Sequence, residues 1–330
     1  MASLETTYMG LSLKNPIIVG SCGITKNLEG VLSCQEAGAG AVVLKSLFEE
    51  EIRAVFSGTE QSLEQMAGGH SEAYGYLEAD LAAHYGADRY LTVVEQIADG
   101  VEIPVIASIN CTRPGSWSSY ARKLELAGAA ALELNIFVLP TDPSATSESL
   151  ESSYVIAAKA VVDEVRIPVA VKLVPYLTSP LRLALALQDA GVAGLVLFNR
   201  FFHPDIDLDK REFAGGLSLS SPDEFRLPLR WIAQLSGRVE ASLCGSTGVH
   251  DGATALKMLF AGASAVQMTS ALYIHKLGRI TEALGFLEQW LDANSPGGIP
   301  EVVGQMGRGN QDGSSLLERA QYIKAFVGVE

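Results

Sequence analysis

Residues 239–271 read VEASLCGSTGVHDGATALKMLFAGASAVQMTSA, and this stretch shows the repeating unit on which the fold depends. It begins with a predicted strand, Val239–Gly245, and continues through a glycine-rich turn to apolar residues at helical spacing, including Leu256 and Leu259. Gly262 then stands where a helix must end before the next strand. The stretch closes with a second predicted strand, Ala265–Ala271, so the unit is strand, helix, strand.

The same unit recurs along the whole chain of 330 residues. Most predicted strands are apolar on both faces, as expected for parallel strands buried between a barrel interior and a shell of helices. Eight of them are found: Pro16–Cys22, Ala41–Ser46, Pro104–Asn110, Ala131–Phe137, Pro168–Val174, Gly194–Arg200, Val239–Gly245 and Ala265–Ala271. This order predicts an α/β fold, a (β/α)8 TIM barrel that forms a single domain over residues 1–330.

Two connections between predicted strands are longer than the strand–helix unit requires. Leu47–Tyr85 follows the second predicted strand, and Phe201–Leu219 follows the sixth. Both are interpreted as insertions at the end of the barrel where loops build the active site, so they are candidates for lids or substrate walls. The alternative is that they are surface elaborations or dimer contacts, and the sequence does not decide between the two.

The composition excludes several classes of function. With 24 Lys and Arg against 38 Asp and Glu, the formal net charge of −14 disfavours nucleic acid and membrane surfaces as partners. The four cysteines contain no CxxC pair and the five histidines show no ligand spacing, so no metal site is expected. A signal-peptide pattern and a long apolar run are both missing, which predicts a cytoplasmic protein.

Polar residues stand at the carboxyl end of most predicted strands, although a buried strand has no structural use for them. In a barrel, these ends converge on the face that carries the active site. A lone lysine at such a place is usually a surface residue, but two lysines together with several asparagines favour a site for a planar, polar heterocycle. The set consists of Ser21, Lys45, Ser46, Asn110, Asn135, Lys172, Asn199, Arg200, Thr269 and Ser270.

The glycine-rich turn Gly245-Ser246-Thr247-Gly248, called the anion loop below, follows the seventh predicted strand. Loops after the last two strands of such barrels often hold phosphate, and this turn leads into a helix whose N-terminus would attract an anion. Asp251 near the start of that helix argues against this interpretation, unless it caps the helix with its charge pointing away. A tight turn without a ligand is the alternative.

The motifs together resemble the dihydroorotate dehydrogenase family over almost the whole chain. They are NPIIVGSCG at residues 15–23, LKS at 44–46, ASIN at 107–110, ELNI at 133–136, VKL at 171–173, FN at 198–199, GG at 215–216, CGSTGV at 244–249 and AGASAVQMTSAL at 261–272. The resemblance implies an FMN-binding barrel, with the ring surrounded by Ser21, Lys45, Ser46, Asn110, Asn135, Lys172 and Asn199. It also implies that the phosphate of the cofactor lies near Gly248, Thr269 and Ser270, that Gly216 and Thr247 contact the cofactor, and that Asn135 and Asn199 reach the substrate.

One departure from the family pattern concerns the catalytic base. The family reads N-x-S-C-P-N or N-x-S-S-P-N here, and its Cys or Ser removes a proton as hydride passes to the flavin. In this chain residues 135–140 read NIFVLP, so Val138 stands at the base position and cannot accept a proton. The base is therefore unknown, with Cys111 as a weak candidate. Arg200 replaces the usual Ser or Thr and is suited to a carboxylate or phosphate on a different substrate.

Three functions remain open from the sequence. The first is an FMN-dependent oxidoreductase that transfers hydride between flavin N5 and a small dihydropyrimidine-like or other CH–CH substrate, as in pyrimidine biosynthesis. The second is a flavin-binding protein without dihydroorotate activity, which the missing base motivates. The third is a phosphosugar enzyme that forms a Schiff base at Lys172. Both enzymes would take a small-molecule substrate, and the sequence is compatible with a homodimer.

Overall fold

Eight parallel strands close into a barrel in the computed structural model, which describes residues 2–48, 87–111, 117–138, 141–200, 205–214 and 218–307. The strands are β1 (Thr6–Tyr8), β2 (Leu11–Leu13), β3 (Ile17–Val19), β4 (Ala41–Val43), β5 (Leu47–Phe48), β6 (Val105–Cys111), β7 (Ala131–Ile136), β8 (Val169–Leu173), β9 (Gly194–Leu197), β10 (Asp205–Asp207), β11 (Glu212–Ala214), β12 (Ser242–Gly245) and β13 (Ala265–Met268). The barrel order is β4-β3-β13-β12-β9-β8-β7-β6, and pairing of β4 with β6 closes the ring. The predicted TIM barrel is confirmed.

All eight predicted strands are present at their predicted places. Most observed strands are shorter than the predicted runs, and only β6 extends one residue further, to Cys111. Asn110, Asn135 and Lys172 are each the next-to-last residue of their strands, β6, β7 and β8. Asn199 lies two residues past the end of β9. The polar residues predicted at strand ends are therefore placed at the carboxyl end of the barrel.

Helices occupy the connections between the barrel strands. They are α1 (Leu28–Glu36), α2 (Ala87–Gly100), α3 (Trp117–Leu126), α4 (Ser147–Val162), α5 (Pro180–Asp189), α6 (Arg226–Leu235), α7 (Gly252–Ala261), α8 (Ser270–His275), α9 (Gly278–Asn294) and α10 (Ile299–Val302). Pro180 stands in the first turn of α5, where its missing N–H costs nothing. The helix end predicted at Gly262 is confirmed, since Gly262 ends α7 with a φ of 118°. Glycine adopts that conformation without the steric cost that a β-carbon would add.

Side chains of the barrel strands alternate between two apolar cores. One core lies between the strands and the helices, and the other fills the barrel interior with residues such as Ile18 and Val196. The antiparallel hairpin of β1 and β2, which was not predicted, contributes Tyr8 and Leu13 to the interior core. This hairpin packs against Gly194, the first residue of β9, and therefore covers the amino-terminal end of the barrel.

The two predicted insertions lie only partly within the described residues. The first begins as β5, which pairs with β6, and its remainder in residues 49–86 lies outside the described part. The second contains the hairpin of β10 and β11, in which Ile206 lies opposite Phe213 and both side chains are exposed. Whether these insertions act as lids or as surface contacts stays a prediction. Within the described ranges, no helix has the length and apolar character needed to cross a membrane.

Candidate active site at the barrel mouth

Three serines form a chain of hydroxyl groups at one side of the barrel mouth. The hydroxyls of Ser21 and Ser46 lie 3.0 Å apart, and the Ser46 backbone N–H donates to Ser21 Oγ at 2.9 Å. The Ser46 hydroxyl lies 2.8 Å from that of Ser108, and all three residues are buried. Ser21 and Ser46 are predicted site residues. Ser108 is an addition, and it shares a face of β6 with Asn110 because it stands two residues earlier.

A row of four polar side chains, called the polar row below, crosses the carboxyl end of the barrel interior. The strand register pairs Asn110 of β6 with Asn135 of β7, and Asn135 with Lys172 of β8. Asn199, just past β9, donates from Nδ2 to Asn135 Oδ1 at 3.0 Å. None of the four is more than 4 % exposed. Burial of so many polar groups is costly unless they are hydrogen-bonded, so their concentration at this end indicates a site for a polar ligand.

Lys172 also belongs to a buried network one step deeper in the barrel, called the interior network below. Its Nζ lies 3.1 Å from Gln267 Oε1 and 3.6 Å from Glu133 Oε1. Gln267 Nε2 in turn donates a hydrogen bond to Glu133 Oε2, and neither Glu133 nor Gln267 is more than 2 % exposed. The carboxylate offsets an ammonium charge that burial alone would disfavour.

The charge of Glu133 also affects two neutral groups in the barrel interior. Burial raises the pKa of the Cys244 thiol, Glu133 raises it further, and the Lys172 ammonium opposes the rise. Burial likewise raises the pKa of the Tyr8 hydroxyl, and Cys244 and Glu133 add to the effect. Both groups therefore stay protonated at neutral pH, and neither carries a charge that would compete with Glu133 for Lys172.

Arg200 forms an ion pair within the protein. Its Nε donates to Glu224 Oε2 at 2.8 Å, and its terminal nitrogens donate to the carbonyl and hydroxyl oxygens of Ser218. Glu224 also accepts the Ser221 backbone N–H at 2.7 Å, as part of a capping box at the start of the 3-10 helix Pro222–Phe225. The guanidinium therefore links the end of the second insertion to this helix. The predicted contact of Arg200 with substrate stays a prediction, and it would have to share the guanidinium with Glu224.

The anion loop has an unusual backbone. Thr247 and Gly248 are consecutive residues with positive φ, 70° and 75° respectively. A β-carbon on Gly248 would lie 2.2 Å from the backbone nitrogen of Phe225, so only glycine fits at this close approach. Turns with successive N–H groups in such conformations commonly form concave anion sites.

The helix that follows the anion loop bears on where an anion could bind. Helix α7 begins at Gly252, and Asp251 caps it by accepting the Thr254 backbone N–H at 2.7 Å. The Asp251 carboxylate therefore lies at the N-terminus of α7, which disfavours an anion there, and the anion site itself stays a prediction. An anion at this end of the barrel would depend on the loop itself.

A cluster of hydroxyl groups lies beside the anion loop. The Gly248 N–H donates to Ser220 Oγ at 3.4 Å, and the Ser220 N–H donates to Ser270 Oγ at 3.0 Å. His250 Nε2 lies 3.2 Å from Ser220 Oγ, and burial lowers the pKa of this histidine, so its ring is neutral at neutral pH. Thr269 directly precedes Ser270 at the end of β13, and its Oγ1 would lie 2.5 Å from a β-carbon on Gly20, just past β3. The structure thus brings predicted residues from two distant parts of the chain toward one rim.

The other predicted site residues have mixed outcomes. Lys45 is half-buried just past β4, and its backbone N–H donates to the Thr25 carbonyl at 3.4 Å. Val138 is half-buried just past β7, where the family carries its base. Gly216 lies outside the described residues, and so does the side chain of Cys111. The roles predicted for these four residues stay predictions.

Sequence reasoning missed two members of the interior network, Glu133 and Gln267. Each stands two residues before a predicted site residue on the same strand or its end, Glu133 before Asn135 and Gln267 before Thr269. A period of two places both members of each pair on the same face of the strand. That periodicity was the available signal, and it was not used because both positions lie deeper than the strand end.

The described thiols are poor candidates for a base. Cys22, Cys34 and Cys244 are buried and are not in disulfides. Burial, aided by the nearby Cys22, raises the pKa of the Cys34 thiol to about 12, and the pKa of Cys244 is also raised. A thiol that stays protonated does not accept a proton at neutral pH. Among the residues that the structure describes, no cluster of His, Cys, Asp or Glu could hold a metal ion.

Comparison with known proteins gives a consistent result. Residues 3–284 match the family model described as dihydroorotate dehydrogenase. Three relatives are named dihydroorotate dehydrogenase B (NAD(+)), catalytic subunit. The one from Geotalea uraniireducens is 28 % identical over 92 % of this chain and 98 % of its own length. Those from Methanocaldococcus jannaschii and Pyrococcus abyssi are 29 % and 26 % identical, over 82 % and 91 % of this chain and 87 % and 98 % of their own lengths.

Proposed function

Because the chain belongs to the dihydroorotate dehydrogenase family, we propose that it is an FMN-dependent oxidoreductase acting on the CH–CH bond of a small, dihydropyrimidine-like substrate. The observation that carries this proposal is the polar row, which four strands bring to one end of the barrel. Its amide and ammonium groups match the carbonyl oxygens and ring nitrogens of a flavin or a pyrimidine. The reaction in the relatives' printed name is of the same class and supports a role in pyrimidine biosynthesis.

The donor set at the mouth fits FMN. The residues that would surround its ring are Ser21, Lys45, Ser46, Asn110, Asn135, Lys172 and Asn199. Its phosphate would lie near Gly248, Thr269 and Ser270, and Gly216 and Thr247 would also contact the cofactor. When bound, FMN supplies a hydride acceptor at N5. The chain itself orients the ring, excludes water, and places the positive charge of Lys172 or Lys45 where negative charge develops on reduction.

The substrate would bind over the carboxamides of Asn135 and Asn199, which meet at 3.0 Å. The NIFVLP sequence places no proton acceptor at Val138. A different group must therefore take the proton, and Asp142 in the loop after β7 is one candidate besides Cys111. Hydrogen bonds from the Ser144 hydroxyl and backbone lower its pKa, so its carboxylate is ionised at neutral pH but is a weak base.

Val138 also supports a second candidate function, a flavin-binding protein that does not oxidise dihydroorotate. Without a base at the family position, the substrate proton has no acceptor at that place, and hydride transfer slows by the factor of about 10²–10⁴ that such a base contributes. The Schiff-base alternative is disfavoured by the interior network. Glu133 lies 3.6 Å from Lys172 Nζ and stabilises the ammonium form, whereas a Schiff base requires a neutral amine.

Rapid anaerobic mixing tests the proposed function. The purified protein should absorb as a flavoprotein, and dihydroorotate should bleach the flavin band within the mixing experiment. Dithionite serves as the control that the bound flavin can be reduced. A flavin that dithionite bleaches, but that neither dihydroorotate nor dihydrouracil bleaches, would establish the second candidate function. A colourless protein that binds no added FMN would refute both candidates.

The cellular setting follows from the same proposal. We propose a cytoplasmic protein that forms a single domain over residues 1–330 and pairs as a homodimer. The relatives' printed name describes a catalytic subunit, which supports a further partner subunit that receives the electrons. Size-exclusion chromatography with light scattering, alone and after co-purification from its source, distinguishes the homodimer from a larger assembly.

A further inference from the structure

The interior network spans the barrel. Glu133, Lys172 and Gln267 come from β7, β8 and β13, and the ring order places β8, β9 and β12 between β7 and β13. Gln267 accepts a hydrogen bond from Lys172 through Oε1 and donates one to Glu133 through Nε2. Its amide dipole therefore presents oxygen to the cation and nitrogen to the anion, which stabilises the pair across the 3.6 Å that separates the two charges.

Packing alone does not explain why these charges are kept. Nearby interior positions are apolar, including Ile18, Val196 and Ala265. Replacing a buried ion pair by apolar residues of similar volume is often neutral or stabilising, so an ion pair at this depth contributes little to stability. Its position does have a use: Lys172 is both a member of the interior network and a member of the polar row, so it connects Glu133 with the proposed flavin site.

We propose that Glu133, supported by Gln267, is a positioning residue that keeps Lys172 charged and directed at the flavin in both the oxidised and the reduced state. The proposal rests on the proposed function, because it concerns the same site. Among the described residues, the ionisable groups shown to interact with Lys172 or with its partner are Glu133 on β7, Cys244 on β12 and Tyr8 on the hairpin. Cys244 and Tyr8 are neutral, so Glu133 is the carboxylate among these groups that balances Lys172.

Proton uptake on flavin reduction provides a test. The midpoint potential of the FMN-loaded protein is measured from neutral to alkaline pH for the wild type and Glu133→Gln. In the wild type, Lys172 stays charged and takes up no proton. In Glu133→Gln, the buried Lys172 loses its proton in the oxidised protein and regains it when negative charge arrives on reduction. Uptake of one extra proton per two electrons steepens the fall of the midpoint potential with rising pH by about 30 mV per pH unit. One pH unit is a tenfold change in proton concentration, and a tenfold change shifts a two-electron couple by that amount.

Two control variants identify the source of the extra proton. Glu288→Gln removes an exposed carboxylate on α9 and should retain the wild-type slope. Glu133→Gln combined with Lys172→Gln should also return to the wild-type slope, because the titrating amine is gone. If Glu133→Gln does not fold, Gln267→Leu keeps both charges but removes the bridge, and it should steepen the slope only at the alkaline end of the range.

The outcomes separate this inference from the proposed function. A wild-type protein that binds no FMN overturns both. If the wild-type protein binds FMN and Glu133→Gln has the wild-type slope, the role of Glu133 alone is overturned. The same holds for a wild-type slope in Gln267→Leu, where that variant stands in for a Glu133→Gln that does not fold. A steeper slope in the double variant of Glu133→Gln and Lys172→Gln also overturns the role of Glu133, because the extra proton would then bind to a group other than Lys172.

Discussion

Replacing Gly248 by alanine tests whether the anion loop depends on its contact with the 3-10 helix Pro222–Phe225. Gly248 has a φ of 75°, and its β-carbon would lie 2.2 Å from Phe225 N and 2.7 Å from Glu224 C. The left-handed backbone costs a residue with a β-carbon about 1–2 kcal/mol, and overpacking costs about 1–3 kcal/mol. Because the close atoms are backbone atoms, no side chain can rotate away. We therefore expect Gly248→Ala to lower the free energy of unfolding by about 2–5 kcal/mol.

Urea unfolding followed by circular dichroism measures the loss, and titration of the FMN-free protein measures the effect on the cofactor. We expect at least a tenfold weaker affinity for FMN, since the displaced loop is the proposed phosphate site. Gly285→Ala is the matched control: a β-carbon at Gly285, in α9, would meet no atom within 4 Å. Alanine there should leave stability unchanged or raise it by up to about 1 kcal/mol. Wild-type stability and FMN affinity in Gly248→Ala would refute the reasoning about the loop.

Asp251→Ala should cost about 1 kcal/mol by removing the cap on Thr254. Burial alone would raise the pKa of Asp251, but its hydrogen bonds with Thr254 lower that pKa overall. The stability that the cap contributes is therefore present above the pKa of the unfolded carboxyl group and is lost as pH falls through the lowered pKa of the folded protein. Urea unfolding at neutral and acid pH should show that the difference in stability between wild type and variant shrinks in acid. Val138→Cys should increase the rate at which dihydroorotate bleaches the flavin by tenfold or more, and an unchanged rate in stopped-flow would show that proton removal is not what limits the wild type. Arg200→Leu should lower stability by about 1 kcal/mol, because it leaves Glu224 without its ion-pair partner; an unchanged thermal midpoint would show that the pair contributes nothing.

The barrel could be predicted because its signals are local. Short apolar runs such as Val169–Leu173 are buried on both faces, and several helices begin at a capping side chain or end at a glycine, signals that depend only on neighbouring residues. The hairpin of β1 and β2 was missed because Thr6–Tyr8 and Leu11–Leu13 are too short to show a period. Its place in the fold depends on contact with β9, which is remote along the chain.

The site was predictable in part for the same reason. Asn110, Asn135 and Lys172 end strands that the sequence marks clearly, and a barrel brings strand ends together whatever the loops do. The partner of Arg200 was not predictable, since Glu224 stands 24 residues further along the chain and no local pattern connects the two. The sequence left open whether Asp251 caps α7, and only the structure shows its side chain accepting the Thr254 backbone N–H.

The sequence by itself determined that eight strands alternate with helices and that polar groups stand at their carboxyl ends, because burial and helix capping act over a few residues. Only the tertiary structure decided which of those groups meet. Glu133 and Gln267 are 134 residues apart along the chain, yet they share a hydrogen bond across the barrel. That contact depends on the closure and stagger of the whole ring, and no local pattern in the sequence encodes the distance between two strands on opposite sides of it.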